Sequence, residues 1–405
     1  MDVEIRTLAE TEFEAYLRAI ELSFSGATTA EDVKRERLVA EIDRCLAAVD
    51  EGRIVGGAMA VSFHFTVPGG AQVAAAGVTG VGVQPTHRRR GINTSLMRAQ
   101  LDDIRSRGEP IAVLYASEGG IYGRFGYGLA SFLGEMDLEG GRSSFIRGYR
   151  STGRVRLLPR SDALPLMRQV YDRAQPRRPG MIALDDRWWE CLFFEGEKEK
   201  DDPRFFAVHD TDDVPDAFVS YRVKHEWTDS IPKLELTVGH LVATSPQSYG
   251  DIWRYVFDID LVDRVKAWNR PVDDPLFLLM EEPRRLRFRI GDAMRVRLVD
   301  VPAALQARGY VGNGRIVVGV EDAFCTWNEG GYGLDVTAGA ATCARTDDEP
   351  DIVCSATDLA STYFGGTTFR QLHRAGRVDE RRPGGLERAD ALFASDPTPW
   401  SSFIF

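Results

Sequence analysis

The sequence predicts an α/β (α+β) chain in three folded units: two in which strands alternate with helices, then a smaller one of short strands followed by helices. Three observations carry this. The chain has 405 residues, roughly 2.7 domains at about 150 residues each, and a single core rarely grows past about 250–300 residues. Extended and helical periodicities alternate through the first 150 residues and loosely again after them, although no sequence repeat is visible. Near Asp292 the texture changes to an α+β pattern. The expected segments are 1–150, 151–290 and 291–405.

Each element has a local reason. Val3–Thr7 is a short extended run, while Glu12–Phe24 sets Phe13, Tyr16, Leu17, Ile20 and Phe24 on one helical face. A second helix fits within Thr29–Glu41. Arg44–Val49 and Arg53–Phe65 read as strands joined by the turn Asp50-Glu51-Gly52, and Pro68-Gly69-Gly70 turns the chain into Gln72–Val83. After Gly91, Ile92, Leu96, Ala99 and Ile104 mark a helix to about Ser106, and the apolar run Pro110–Tyr115 reads as a buried strand. The second segment offers a strand at Arg154–Leu158, helices at Leu164–Arg173 and Asp186–Phe194, strands at Ala217–Val223 and Lys233–Val242, and a helix at Tyr249–Phe257. In the third, strands are expected at Met294–Val299, Gly314–Val320, Tyr332–Val336, Cys343–Thr346 and Asp351–Ser355. Helices are expected at Val301–Gly309, Ala356–Phe364, Phe369–Ala375 and Leu386–Phe393.

Composition excludes several classes. With 43% hydrophobic and 27% charged residues, the chain is neither disordered nor fibrous. Fifty basic against 61 acidic residues give a net charge of −11, a poor match to a nucleic-acid binder. Five widely spaced cysteines without a C-x-x-C pair argue against a disulfide scaffold or structural zinc, and six scattered histidines suggest no metal. His240, inside an apolar strand, reads as structural. The start, Met-Asp-Val-Glu-Ile-Arg, lacks a signal-peptide pattern, and no apolar run reaches membrane-spanning length, so a cytoplasmic protein without a membrane span is expected. The mixed-charge run Glu197–Asp202 reads as a solvated loop, with a docking loop as the sharper alternative. Arginines 284, 285, 287, 289, 295 and 297 alternate with apolar residues, the pattern of two strands with one wet face.

The most informative stretch is Val81-Gly-Val-Gln-Pro-Thr-His-Arg-Arg-Arg-Gly-Ile-Asn-Thr-Ser-Leu96. A strand ends at Val83, a loop follows, and a helix begins near Ile92. Unpaired N–H groups at that helix start, with its positive dipole end, make an anion site. Gly91 allows close backbone approach, and Arg88, Arg89 and Arg90 add charge-assisted donors. A pyrophosphate fits this arrangement, although neither a P-loop nor a dinucleotide fingerprint is present.

Arg88-x-x-Gly91-x-Asn93 resembles the pyrophosphate loop of the GNAT superfamily of N-acetyltransferases, departing from it at Asn93, where a small residue is usual. Pro85–Gly91, Ala116–Gly128, Val301–Tyr310, Phe393–Asp396 and the final Phe405 together resemble one branch, the enhanced intracellular survival (Eis) acetyltransferases. The resemblance implies two tandem GNAT-like domains, a sterol-carrier-protein-like domain, and a homohexamer. It implies acetyl transfer from acetyl-CoA to primary amines, aminoglycosides foremost. It places CoA contacts at Val81, Gly82, Val83, Arg89, Arg90, Gly91, Ile92, Asn93, Thr94, Ser117 and Glu118. It makes Tyr122 the general acid, the carboxylate of Phe405 the base, and Phe24 part of the acceptor pocket.

The chemistry agrees with those roles. A strand end such as Gly82–Val83 can offer a backbone N–H to a developing oxyanion. A phenol, with a pKa near 10, can protonate a leaving thiolate, and Tyr127 competes with Tyr122 for that part. A terminal carboxylate is a weak base that burial or a relayed water can strengthen. Trp400-Ser-Ser-Phe-Ile-Phe405 is apolar enough to dock, which structural packing alone would also explain. Where family members carry acids, this chain has Gly26 and Ile404. Lysine side chains of peptides and polyamines are therefore alternative acceptors. A protein that carries an apolar ligand, with a decayed acetyltransferase, is the rival from another class.

Overall fold

The expected meander opens the first sheet. In a computed structural model describing residues 3–141, 143–196, 202–228 and 231–405, β1 (Glu4–Thr7), β2 (Cys45–Asp50), β3 (Arg53–Thr66) and β4 (Gln72–Val83) pair antiparallel in order. Helices α1 (Phe13–Ser23) and α2 (Ala30–Arg37) lie between β1 and β2, and α3 (Ile92–Ser106) follows β4. β5 (Ile111–Tyr115) then runs parallel to β4, as a crossover through a helix requires. β4 and α3 occupy the spans their patterns predict, because alternation and a glycine stop mark both.

The sheet does not close with neighbouring sequence. Its seven-stranded order ends with a strand from residues 294–298 placed between β5 and β6 (Gly128–Leu129). The second sheet in turn recruits β7 (Phe132–Glu139) from before residue 150. β7 lies beside β8 (Arg154–Leu158), β9 (Arg204–Thr211), β10 (Val214–Thr228), β11 (Ile231–Ala243), β12 (Val262–Arg270) and β13 (Arg289–Asp292) in one sheet, in the order β13-β7-β12-β11-β10-β9-β8. The chain passes from β13 back to the first sheet at Ala293, and Met294–Leu298 is β14. β7, β9 and β12 carry no clear alternation and were not anticipated. The third sheet, five-stranded, contains β15 (Gly314–Glu321), β16 (Gly330–Thr337), β17 (Ala340–Arg345), β18 (Ile352–Ser355) and β19 (Val378–Glu380). Its helices include Ala356–Thr362, Phe369–Arg374 and Gly385–Phe393. The α/β (α+β) class expected from the sequence is the class observed. The mixed-charge run Glu197–Asp202 lies, apart from Asp202, outside the described residues. Among the described residues no helix is long and apolar enough to cross a membrane.

One buried apolar cluster runs through all three segments, from Phe63 and Phe65 through Tyr171 and Trp189 to Ile316, Leu359 and Phe403. The arginine-rich strands differ from expectation. β13 and β14 sit in different sheets, and Arg297 is fully buried rather than on a wet face. The third segment covers that side of β14 and supplies Asp322, itself buried, as its ion-pair partner. Breaking one half of such a pair leaves an uncompensated buried charge. Asp322→Ala should therefore cost about 3–5 kcal/mol, read from urea unfolding. A loss below about 1 kcal/mol would mean that Arg297 finds another partner.

Candidate active site

β4 and β5 hydrogen-bond as parallel partners only from Ala75–Gly77 against Ile111–Val113. Beyond that point they part, and Val78–Val83 and Leu114–Glu118 form opposite walls of a cleft of about 1110 Å³. On its other edge β4 carries a bulge. Gly57 faces Gly82 and Met59 faces Thr79, so Gly80 and Val81 together oppose Ala58. Gly80 takes φ +58° there, a conformation glycine adopts without strain. The bulge leaves backbone groups of Gly80–Val81 unmatched on a stretch that lines the cleft.

At the base of the parting strands stands the start of α3. Gly91 is its N-cap, at φ +80°, and no side chain caps the helix. Space does not dictate this glycine, since a Cβ would meet nothing within 4 Å; the left-handed backbone does. The first-turn N–H groups are thus left for a ligand, and Gly91, Ile92, Asn93 and Thr94 all line the cleft. The three arginines diverge. Arg88 donates to the carbonyl of Ser23 at 3.1 Å. Arg90 donates to Asp50 at 2.9 Å, with His87 Nε2 3.2 Å from the same carboxylate, and Arg90 is not among the lining residues. Asp50 at the end of β2 thus holds the Arg90 side chain away from the cleft lining. Arg89 lines the cleft with no hydrogen-bond or ion-pair partner among the described residues. An uncapped helix start beside an unpaired guanidinium fits a pyrophosphate.

At the other end, Tyr122 and Phe405 line the same cleft, with Ser117 and Glu118 on the wall after β5. Burial raises the Tyr122 hydroxyl above its ordinary value near 10. Tyr127 is fully enclosed, does not line the cleft, and its hydroxyl has no partner. The two tyrosines are therefore separated by access. The ring of Phe405 packs against Phe63 at 4.8 Å and edge-on against Tyr115 at 5.4 Å. A Cβ on Gly77 would stand 2.5 Å from the Phe63 ring and 2.9 Å from that of Phe405, so glycine makes room for both. The segment carrying Tyr122 is braced from the third unit, where Thr357 Oγ1 donates to Gly123 O at 3.0 Å and Phe324 meets Phe125 at 5.0 Å.

The mouth contains residues the sequence did not single out. Phe24 lines the cleft, as do Glu21, Glu36, Trp268 and Asp292. A side chain at Gly26 would come within 2.4 Å of a Glu21 carboxylate oxygen, so Glu21 fills the space beside position 26. Glu21 was legible as the residue three before Phe24, on the same face of α1. Trp268 and Asp292 reach the mouth from β12 and β13 of the second sheet, and no local pattern announces that. Glu36 contacts Arg35 at 3.0 Å and Asp292 contacts Arg295 at 3.0 Å.

Comparison with known proteins gives the following. Family models described as acetyltransferase (GNAT) domains match residues 4–130 and 180–298, and one described as a sterol carrier protein domain matches 301–402. An uncharacterized N-acetyltransferase of Streptomyces avermitilis is 41% identical over 405 residues, 99% of each chain. N-acetyltransferase Eis of Mycobacterium tuberculosis is 32% identical over 367 residues, 87% of this chain and 86% of its own. The crystal structure of Eis1 from Mycobacterium abscessus superposes with a TM-score of 0.86 at 34% identity, covering 100% of both chains.

Because nothing among the described residues pairs with the Tyr127 hydroxyl, Tyr127→Phe should leave stability unchanged or raise it by about 1 kcal/mol, measured by chemical unfolding. A loss above about 1 kcal/mol would show that the hydroxyl is satisfied.

Proposed function

Because the chain belongs to the Eis family of GNAT N-acetyltransferases, we propose that its cleft transfers acetyl from acetyl-CoA to a primary amine, with a cationic acceptor of aminoglycoside type foremost. One observation carries the reading. A single cleft has an uncapped helix start with the unpaired Arg89 at one end, and Tyr122 and the terminal residue Phe405 at the other. The start of α3, with Arg89 and Gly91 to Thr94, supports binding of the CoA pyrophosphate there. The parted strands leave room for the extended pantetheine arm between Val81–Val83 and Ser117–Glu118.

The proposed steps use this chain's groups in turn. The Phe405 carboxylate, directly or through a water, takes a proton from the acceptor ammonium. The freed amine attacks the thioester carbonyl carbon. A backbone N–H at the Gly80–Val81 bulge holds the oxyanion that forms. The nitrogen of the tetrahedral intermediate loses its second proton to solvent, and as the C–S bond breaks Tyr122 gives its hydroxyl proton to the sulfur and recovers one from solvent. Amide, CoA thiol and one released proton are the products.

The acids at the mouth support a cationic acceptor. Glu21 stands beside Gly26, so the lack of a side chain there does not leave the mouth without charge. Trp268 and Ile404 add apolar surface that suits the aliphatic stem of a lysine, which favours a lysine-bearing peptide as the second reading. The family resemblance adds self-association to a hexamer, and the exposed side chains of Leu278 and Ile290 support a covered surface. A thiol-release assay with kanamycin-type aminoglycosides competing against lysine-rich peptides should show the aminoglycoside consumed first. Preference for the peptide would replace the acceptor, and no turnover with any amine would overturn the enzyme reading of this cleft. Tyr122→Phe should lower kcat by about 10²–10⁴-fold while CoA affinity stays within about twofold. Since burial raises Tyr122, the wild-type loss of activity from ionising this acid should fall above about pH 10. Wild-type kcat in Tyr122→Phe would remove it from the acid role.

A further inference from the structure

The second sheet contains the same opening as the first, and it is filled. β11 and β12 run parallel from Leu234–Val238 against Val262–Ala267, then stop pairing although β11 continues to Ala243 and β12 to Arg270. β11 carries a bulge at the parting point, where Gly239 is left over between Ser220–His240 and Tyr221–Val238 pairs. This repeats the arrangement of β4, its bulge and β5. The helix that follows, Pro246–Phe257, differs from α3: Ser245 caps it by accepting from Ser248 N, and proline occupies its first turn. That start is closed to an anion, and no arginine loop precedes it.

Residues 400–403 of this chain occupy the second opening. Trp400 N donates to Pro179 O at 2.9 Å, and its indole Nε1 donates to Asn269 O at 3.0 Å. From β12, the Asn269 amide donates to Ser401 O at 2.9 Å. From β11, His240 Nδ1 donates to Ser402 O at 3.0 Å, since a carbonyl only accepts. Asn269 holds the left-handed conformation, φ +55°, that asparagine tolerates better than most residues. Desolvation lowers His240 to about 4, which keeps it a neutral imidazole at ordinary pH. The Phe403 ring then sits 4.3 Å from His240 and 5.2 Å from Tyr171. Two residues further, Phe405 enters the first opening.

We propose that the second opening is a docking groove for the chain's own tail, and that His240 and Asn269 are positioning residues which set the Phe405 carboxylate in the catalytic cleft through the carbonyls of Ser402 and Ser401. This rests on the reading of that carboxylate as the base. The groove fixes the chain two to four residues before its end, and the Phe63–Tyr115 contacts fix the last ring, so the carboxylate between these anchors has little freedom. Misplacement of about 1 Å can cost roughly 100-fold in rate.

The test uses the full-length enzyme. Asn269→Gly keeps the left-handed backbone and deletes the donor; His240→Phe keeps a ring against Phe403 and deletes the donor; His240→Asn restores a donor near Nδ1. Either donor-less variant should lose roughly 10–100-fold in kcat, with KM for acetyl-CoA within about twofold and the thermal midpoint within about 3 °C. Carboxypeptidase should release Phe405 faster from both, as followed by mass spectrometry, and His240→Asn should recover much of kcat. A double variant with wild-type kcat overturns the proposal if an enzyme extended by two glycines after Phe405 is inactive, and the base reading then stands. Full activity of the extended enzyme would instead remove the base reading and the proposal with it. If the variants do not fold, the wild type decides. Release of Phe405 from the native enzyme as fast as from the urea-unfolded chain overturns docking, and strong protection supports it.

Discussion

Two parallel strands that part leave backbone donors and acceptors without a ladder, and buried unpaired groups are costly. Much of this architecture answers that constraint. The far edge of β5 is taken by β14, a strand from residues 294–298 that crosses back from the second sheet. The near edge of β4 keeps its antiparallel partner β3 through a bulge. The open side between β4 and β5 is narrowed at its apex by the Phe405 ring, for which Gly77 leaves space. An opening of this kind persists only when everything around it is rigid, which is why the third segment packs on the loop carrying Tyr122 and anchors β14 through Asp322.

Charge follows the same geometry. A net −11 says little by itself, because the cleft is lined by charges of both signs. At the helix start, Asp50 ties down Arg90 and His87 and leaves Arg89 facing the cleft. Glu21, Glu36 and Asp292 also line it, Glu36 paired with Arg35 and Asp292 with Arg295.

The sequence was most legible where a pattern is local. Gln72–Val83 and Ile92–Ser106 were bounded correctly, since alternation, helical spacing and a stop at Gly91 act over a few residues. Membership of a sheet is not local. Nothing in Phe132–Glu139 says that it pairs with β12 and β13 rather than with the strands before it. Arg297 has the same alternation as a residue on a wet face, and only the covering third segment makes it buried. Most of the candidate site lay on one strand–loop–helix unit and could be read there. Arg90 could not be separated from Arg89 by spacing, because what separates them is Asp50, forty residues earlier. Trp268 and Asp292 arrive from the second sheet and were invisible for the same reason.

The tail shows why long-range placement matters energetically. Ordering six residues costs about 6–12 kcal/mol of backbone entropy. Burying the rings of Trp400 and Phe403, and partly that of Phe405, returns at most about 1.5–3 kcal/mol each, and the four hydrogen bonds with Pro179, Asn269 and His240 about 1 kcal/mol each. The contacts offset the cost of ordering, and removing one of them weakens the hold on the tail. These contacts hold residues 400–403 in the second opening, next to the ring of Phe405 in the first. The second unit, whose equivalent helix start is sealed by Ser245 and Pro246, provides them in the opening where the first unit has room for a ligand. The same strand geometry thus appears twice: one opening faces an uncapped helix start, and the other holds the segment that leads into it.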